Sequence, residues 1–330
     1  MTLIDRYIGY VRDIRRYSPK TVAVYEDVLR QYLRVTFDSD EVTDKEIVAS
    51  MNHSEIRSYE VWLLESDPPK SARTVSLHLS ALSGFCRYLM KEGVLKSNPV
   101  RLVAKPKQEK RLPHFIRDTA FSEYFNNTSH LFDEEEMRMF CESWDTPLGK
   151  KCYEDILAAL IVRILYSSGL RRSELVGLCI SDVDFGRNVV KVRGKGDKMR
   201  EIPLIDSLSE EILLYLKAVE TMCGRNRSLT EPLLVTYKGS RIYPEYVNRA
   251  VKGGLEGYKD MPGRKSPHVL RHSLATELLD REVDLNSIKE LLGHSSLAAT
   301  QVYTHSTIAR LKSIYEQAHP RAKNGGKHGD

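Results

Sequence analysis

"ILAALIVRILYSSGLRRSELVGL", residues 156–178, decides how the larger half of this chain folds. Its first fifteen residues are apolar on nearly every side of a helix. Such a helix belongs at the centre of a core and not on a surface. Gly169 ends it, and Ser173 or a neighbour starts the next helix, so Arg171 emerges from the core at a tight junction. A planar guanidinium held there is suited to gripping two phosphate oxygens at once. Glu174, three residues on, could brace it. The plainer alternative is a salt bridge that caps a helix.

Downstream, "RNVVKVRGKGDKMREIPLI" (187–205) switches to a period of two, with Val190, Val192 and then Ile202, Leu204 on one face around a "GKGDK" turn. This predicts a β-hairpin, to which "EPLLVTY" (231–237) is expected to add a third strand. Helices resume at Ser266–Pro267, interrupted by the loop at 281–285 and by Gly293.

Upstream, residues 1–104 predict four to five helices, enough for an independent bundle. Ser18 and Pro19 open one helix, with Val24, Val28, Tyr32 and Tyr25, Leu29, Leu33 at helical spacing. "TDKE" (43–46) has the form of a capping box, and Val75, Leu79, Leu82, Cys86 and Leu89 form one stripe that stops before Gly93. "NPVRLVAKPKQEKRLPHF" (98–115), basic and proline-bearing, reads as an extended strap. Lys105, Lys107, Lys110 and Arg111 on it suit a polyanion, or are simply solvated. The expected organisation is a helical bundle (1–104), a basic linker (105–116), a mainly helical domain with one small antiparallel sheet (117–322) and a disordered tail (323–330).

The bulk numbers exclude more than they select. The chain has 330 residues, 41% hydrophobic and 29% charged, with a net charge of +5, as an ordinary two-domain globular protein would. No run reaches the roughly 18 apolar residues of a membrane span, and the charged amphipathic start lacks a signal-peptide core, so a cytoplasmic location is expected. Five scattered cysteines show no zinc spacing and read as reduced thiols. No Walker loop or G-x-S-x-G elbow is present. "GGLEG" (253–257) follows no convincing strand, and "FDEEE" (132–136) reads as a helix start favoured by the macrodipole. An enzyme built this way is expected to need no cofactor and no metal.

What remains is cationic. Lys195, at the hairpin tip, is a candidate proton donor or phosphate contact, or an ordinary turn lysine. His268 and Arg271 in "SPHVLRHS" fall three apart on the first turn of a helix, whose N-terminus favours an anion. His272 points about 100° away around that helix and ranks lower. His294 lies in the turn after Gly293, and Tyr303 about two turns into the helix that follows. Two arginines, a lysine, two histidines and a tyrosine would together make a site for phosphoryl transfer. The arginines neutralise the oxygens, the phenol attacks once a base takes its proton, and the lysine protonates the leaving oxygen.

"GLRRSEL", "GKGDK", "HVLRHS", "LLGHSS" and "TQVYTH", in this order, resemble the successive motifs of the tyrosine site-specific recombinases, the phage-integrase family, and most closely its Xer type. The resemblance covers nearly the whole chain and implies Arg171, Lys195, His268, Arg271, His294 and the nucleophile Tyr303 as catalytic residues. It implies an N-terminal core-binding domain beside the α+β catalytic domain, the two clamping double-stranded DNA at an inverted-repeat-like core site. It further implies strand exchange through a 3′-phosphotyrosyl link and a Holliday junction. The partners expected are a homo- or hetero-tetramer with an exchanged C-terminal helix, and a possible second recombinase or DNA motor protein. The segment 118–155 is longer than in a compact Xer protein, which leaves chromosome or plasmid dimer resolution and mobile-element integration both open. The rival readings are a type IB topoisomerase and a non-catalytic DNA-binding protein.

Overall fold

The computed structural model describes residues 2–37, 42–107, 115–194, 199–258, 260–261 and 263–293. The chain divides into two compact units, residues 1–111 and 112–330, each with a core of its own.

The first unit comprises α1 (Leu3–Gly9), continued as a π-turn over Tyr10–Ile14, then α2 (Pro19–Phe37), α3 (Asp44–Ser50), α4 (His53–Glu65) and α5 (Ala72–Lys91). Local chemistry sets the starts. Ser18 Oγ accepts from Thr21 N at 3.2 Å. Thr43 and Glu46 close the capping box, with Thr43 N donating to Glu46 Oε2 at 2.8 Å and Glu46 N to Thr43 Oγ1 at 3.3 Å. The five-residue stripe of α5 is fully buried, facing Leu29 and Tyr32 of α2 and Ile56, Tyr59 and Leu63 of α4 in one core. The strap read at 98–115 begins later than its composition implies. Asn98 donates to Ser83 Oγ at 2.9 Å, Pro99–Leu102 form a 3₁₀ turn, and Val100 and Val103 join the core of this unit. Two apolar residues make no period, so they were invisible among the prolines and lysines.

The second unit contains α6 (Asp118–Asn127), α7 (Glu134–Glu142), α8 (Pro147–Ser168), α9 (Arg172–Gly177), β1 (Val183–Asp184), β2 (Val189–Arg193), β3 (Met199–Pro203), α10 (Asp206–Cys223), α11 (Pro244–Leu255), α12 (Pro267–Asp280) and α13 (Leu285–Leu292). α8 packs against α7, α10, α11 and α12 on different sides, which is why its apolar surface runs all the way round. The sheet is antiparallel in the order β1-β2-β3, with Val183 opposite Val190, Val190 opposite Ile202 and Val192 opposite Arg200. The protein is therefore mainly helical with one small sheet.

The expected strand at 231–237 does not form. Its backbone is engaged elsewhere: Leu233 N donates to Leu178 O at 2.9 Å, and Val235 O accepts from the Tyr153 hydroxyl at 2.8 Å. Only isolated bridges, Cys179–Pro232 and Val235–Arg241, remain there. The third strand is β1, two residues long and too short to show an alternation.

Arg163, the one charge inside the apolar run, is 1% exposed. It donates to Glu211 Oε1 at 2.9 Å, Phe125 O at 3.1 Å and Thr128 Oγ1 at 2.7 Å, with its guanidinium 4.8 Å from the Phe132 ring centroid. It thereby fastens α10 and the 118–132 segment to the central helix. Removing one partner of a buried pair strands the other, so Arg163→Met should cost about 3–5 kcal/mol. Urea denaturation checks this, and a loss below about 1 kcal/mol, the scale of an exposed pair, would contradict it.

Candidate phosphate-binding site

Three arginines converge on the end of α13. Gly169, in the left-handed region at φ +62°, terminates α8 and turns the chain sharply into α9. A β-carbon there would lie 2.6 Å from Leu292 Cδ2, so the junction and the end of α13 are in direct contact. Arg171 precedes the first residue of α9. Its backbone N donates to Glu174 Oε2 and its Nη1 to Glu174 Oε1, each at 2.8 Å, and its Nη2 donates to Gly293 O at 2.7 Å. The side chain stays 32% exposed, the one of the three guanidinium groups with substantial access to solvent.

Arg271, one turn into α12, is 8% exposed. Nη1 donates to Gly169 O at 2.5 Å and Nη2 to Leu292 O. Burial first, then the neighbouring Arg171 cation, pushes its pKa down to about 10, which leaves it charged at neutral pH. Arg200, in β3, is 6% exposed, with Nη1 and Nη2 on the two Glu174 oxygens at 2.9 and 2.8 Å and Nε on Leu291 O at 3.2 Å. The carbonyls of 291, 292 and 293 thus accept from Arg200, Arg271 and Arg171 in turn. These carbonyls carry the negative end of the α13 dipole, so cations are favoured there.

Among the described residues Glu174 is the one carboxylate bonded within this group. Burial opposes its ionisation, but the donors of Arg200 and Arg171 outweigh that and hold its carboxyl below its ordinary 4.5. Two guanidiniums share this carboxylate and the third, Arg271, bonds only carbonyls, so the group carries an excess of positive charge that an anion would neutralise.

His268 sits at the exposed start of α12, one turn from Arg271, and His272 is exposed with Nδ1 3.0 Å from Thr276 Oγ1. Lys105 and Lys107 are exposed in the first unit. Lys110, Arg111, Lys195, His294, Tyr303 and the tail 323–330 lie outside the described residues. The structure therefore brings Arg171, Glu174 and Arg271 together. Sequence reasoning missed Arg200, although a signal was present: stepping back by two from inward-facing Ile202 places Arg200 on the core face. Among the described residues no group of His, Cys, Asp and Glu side chains forms a metal-holding cluster, and no helix is long and apolar enough to cross a membrane.

Comparison with known proteins sets this geometry in context. The model of the Phage integrase family matches residues 132–310, and that of the Phage integrase N-terminal SAM-like domain matches residues 4–93. The chain belongs to the phage integrase family. It is a tyrosine recombinase of the Xer type: it is 31% identical over 327 residues to tyrosine recombinase XerC of Chlorobaculum parvum, covering 97% of this chain and 94% of that one. It is also 32% identical over 329 residues to XerC of Haemophilus influenzae, covering 98% and 99%. A structure of the Tn1549 transposon integrase in complex with transposon right end DNA aligns with a TM-score of 0.64 at 16% identity, covering 94% and 99%. A lambda integrase dimer bound to a COC′ core site gives 0.59 at 16%, covering 91% and 98%. At such identities the structural likeness establishes the fold.

The Glu174 carboxylate predicts an acid limb in stability. Its pKa is lower folded than unfolded, so its contribution is complete above the ordinary carboxyl range and is lost as pH falls through the lower folded value. Urea midpoints measured from about pH 6 down to about pH 3 should fall less steeply for Glu174→Gln than for the parent chain. Parallel slopes would contradict the assignment.

Proposed function

We propose that Arg171 and Arg271 grip the phosphate at which this recombinase cuts DNA, and that Tyr303 is the nucleophile. The supporting observation is that both guanidiniums donate to consecutive carbonyls, Gly293 and Leu292, immediately before the segment that carries His294 and Tyr303. The end of α13, which leads into that segment, is thereby fastened to the groups that would hold the target of the nucleophile.

In the reaction the Tyr303 oxygen forms a bond to phosphorus while the bond to the 5′ oxygen breaks. A phenol, whose unperturbed pKa is about 10, has to give up its proton to a base, a role we assign to His268 or His294. Lys195 protonates the departing 5′ oxygen. Arg171 and Arg271 balance the charge that spreads over the remaining oxygens. A 5′-hydroxyl from the partner duplex then attacks the 3′-phosphotyrosyl link, so the bond energy is retained and strands are exchanged through a Holliday junction. Xer-type resolution of chromosome or plasmid dimers by four protomers in the cytoplasm is the role we assign, on the strength of the XerC relatives. Lys105, Lys107, Lys110 and Arg111 are assigned to DNA backbone contacts.

A nicked suicide duplex in EDTA tests the chemistry. The parent chain should accumulate a covalent adduct, and Tyr303→Phe should form none; an adduct with Tyr303→Phe would overturn the assignment. Arg171→Ala and Arg271→Ala should each slow cleavage by about 100-fold or more while still binding DNA. Neutralising Lys105 or Lys107 should leave the chemistry intact and reduce the salt slope of binding by about one ion per contact made.

A further inference from the structure

We propose that Arg200 is a positioning residue for strand cleavage, acting through Glu174 on Arg171 and directly on the end of α13. The proposal rests on the reading of Arg171 and Arg271 as the phosphate grip. Arg200 itself is 6% exposed, with its fork spent on Glu174 and its Nε on Leu291 O. All three of its nitrogens are engaged, whereas Arg271 donates through Nη1 and Nη2 alone among the described residues. Its effect has to pass through what it holds.

What it holds are three separate pieces of chain. β3 carries the guanidinium, α9 begins at the Arg171–Glu174 pair, and α13 ends at three consecutive carbonyls, each taken by one of the arginines. Glu174 cannot satisfy Arg171 from a fixed place unless something fixes Glu174, and the paired fork of Arg200 does so at both oxygens. The contact with α13 is equally tight. Gly293 sits at φ +64°, and a β-carbon there would lie 3.0–3.1 Å from Nη1, Cζ and Nε of Arg200. The terminal glycine leaves room for the guanidinium, so strand and helix end meet in one register.

A lysine at 200 would keep the charge but lose the planar fork, and an apolar residue would lose both. Either change removes the hold of β3 on Glu174 and leaves that carboxylate bonded to Arg171 N and Nη1, so that the Arg171 and Glu174 side chains can shift together. Single-turnover cleavage at saturating DNA separates this role from simple loss of fold. The burst amplitude counts competent enzyme, and the rate reports its geometry. Two suicide duplexes are compared, one with the ordinary scissile phosphate and one with a methylphosphonate, which lacks the charge that a guanidinium neutralises.

Arg200→Met should cleave the ordinary phosphate about 100-fold more slowly, the cost of an ångström-scale misplacement at a reacting centre. On the methylphosphonate the penalty should fall below about tenfold, because little charge remains to be neutralised. Arg200→Lys should recover no more than about a tenth of the parent rate on the ordinary phosphate. The proposal is overturned by an equal penalty on both duplexes, by a reduced amplitude with an unchanged rate, or by a rate within about threefold of the parent. Should Arg200→Met fail to fold, Arg200→Lys carries the same two-duplex comparison. Failure of the underlying reading is visible separately, since Arg171→Ala would then show no smaller penalty on the methylphosphonate.

Discussion

One buried carboxylate organises the centre of the larger unit. Glu174, 8% exposed, receives two nitrogens of Arg171 and two of Arg200, and so joins the start of α9 to strand β3. A lone carboxylate in such a place would be expensive to keep ionised. Bonded by four donors it is held below its ordinary pKa, and it lets two guanidiniums stand within one short stretch of structure. Arg271 completes the arrangement without a carboxylate, bonding to the carbonyls of Gly169 and Leu292 instead.

The helix ends supply the remaining stabilisation. α8 and α13 both terminate in left-handed glycines, Gly169 and Gly293, and both leave carbonyls facing the arginines. Their partial negative charge offsets part of the cationic repulsion but not a full unit of charge. Burial first, and then the neighbouring Arg171 cation, holds the Arg271 pKa below its ordinary value. A phosphate would relieve the remaining repulsion, and the cluster is therefore better suited to a bound anion than to solvent alone.

Much of this was legible in the sequence where a pattern repeats. The apolar run 156–168, the alternation of the β2–β3 hairpin and the Ser-Pro starts at 18–19 and 266–267 each follow one period or one cap, and each forms the expected element. The failures share a cause. Strand β1 has two residues, and the buried pair Val100 and Val103 is isolated, so neither makes a period. The 231–237 run has strand-like composition, but its hydrogen bonds go to Leu178 and to tyrosine hydroxyls that lie far away in sequence. At the site, Arg171 and Glu174 are three residues apart and could be paired on paper. Arg200 and the carbonyls of 291–293 become neighbours only through tertiary packing.

The central claim is that the arginine pair fastened to the end of α13 is what holds the reacting phosphate. A crystal structure of the Tyr303→Phe protein with its core-site duplex tests it most directly. The account predicts scissile-phosphate oxygens at charge-assisted hydrogen-bond distance, about 2.7–2.9 Å, from guanidinium nitrogens of both Arg171 and Arg271. A scissile phosphate held by other side chains, with both arginines still bonded only to Glu174, Gly293, Leu292 and Gly169, would contradict it.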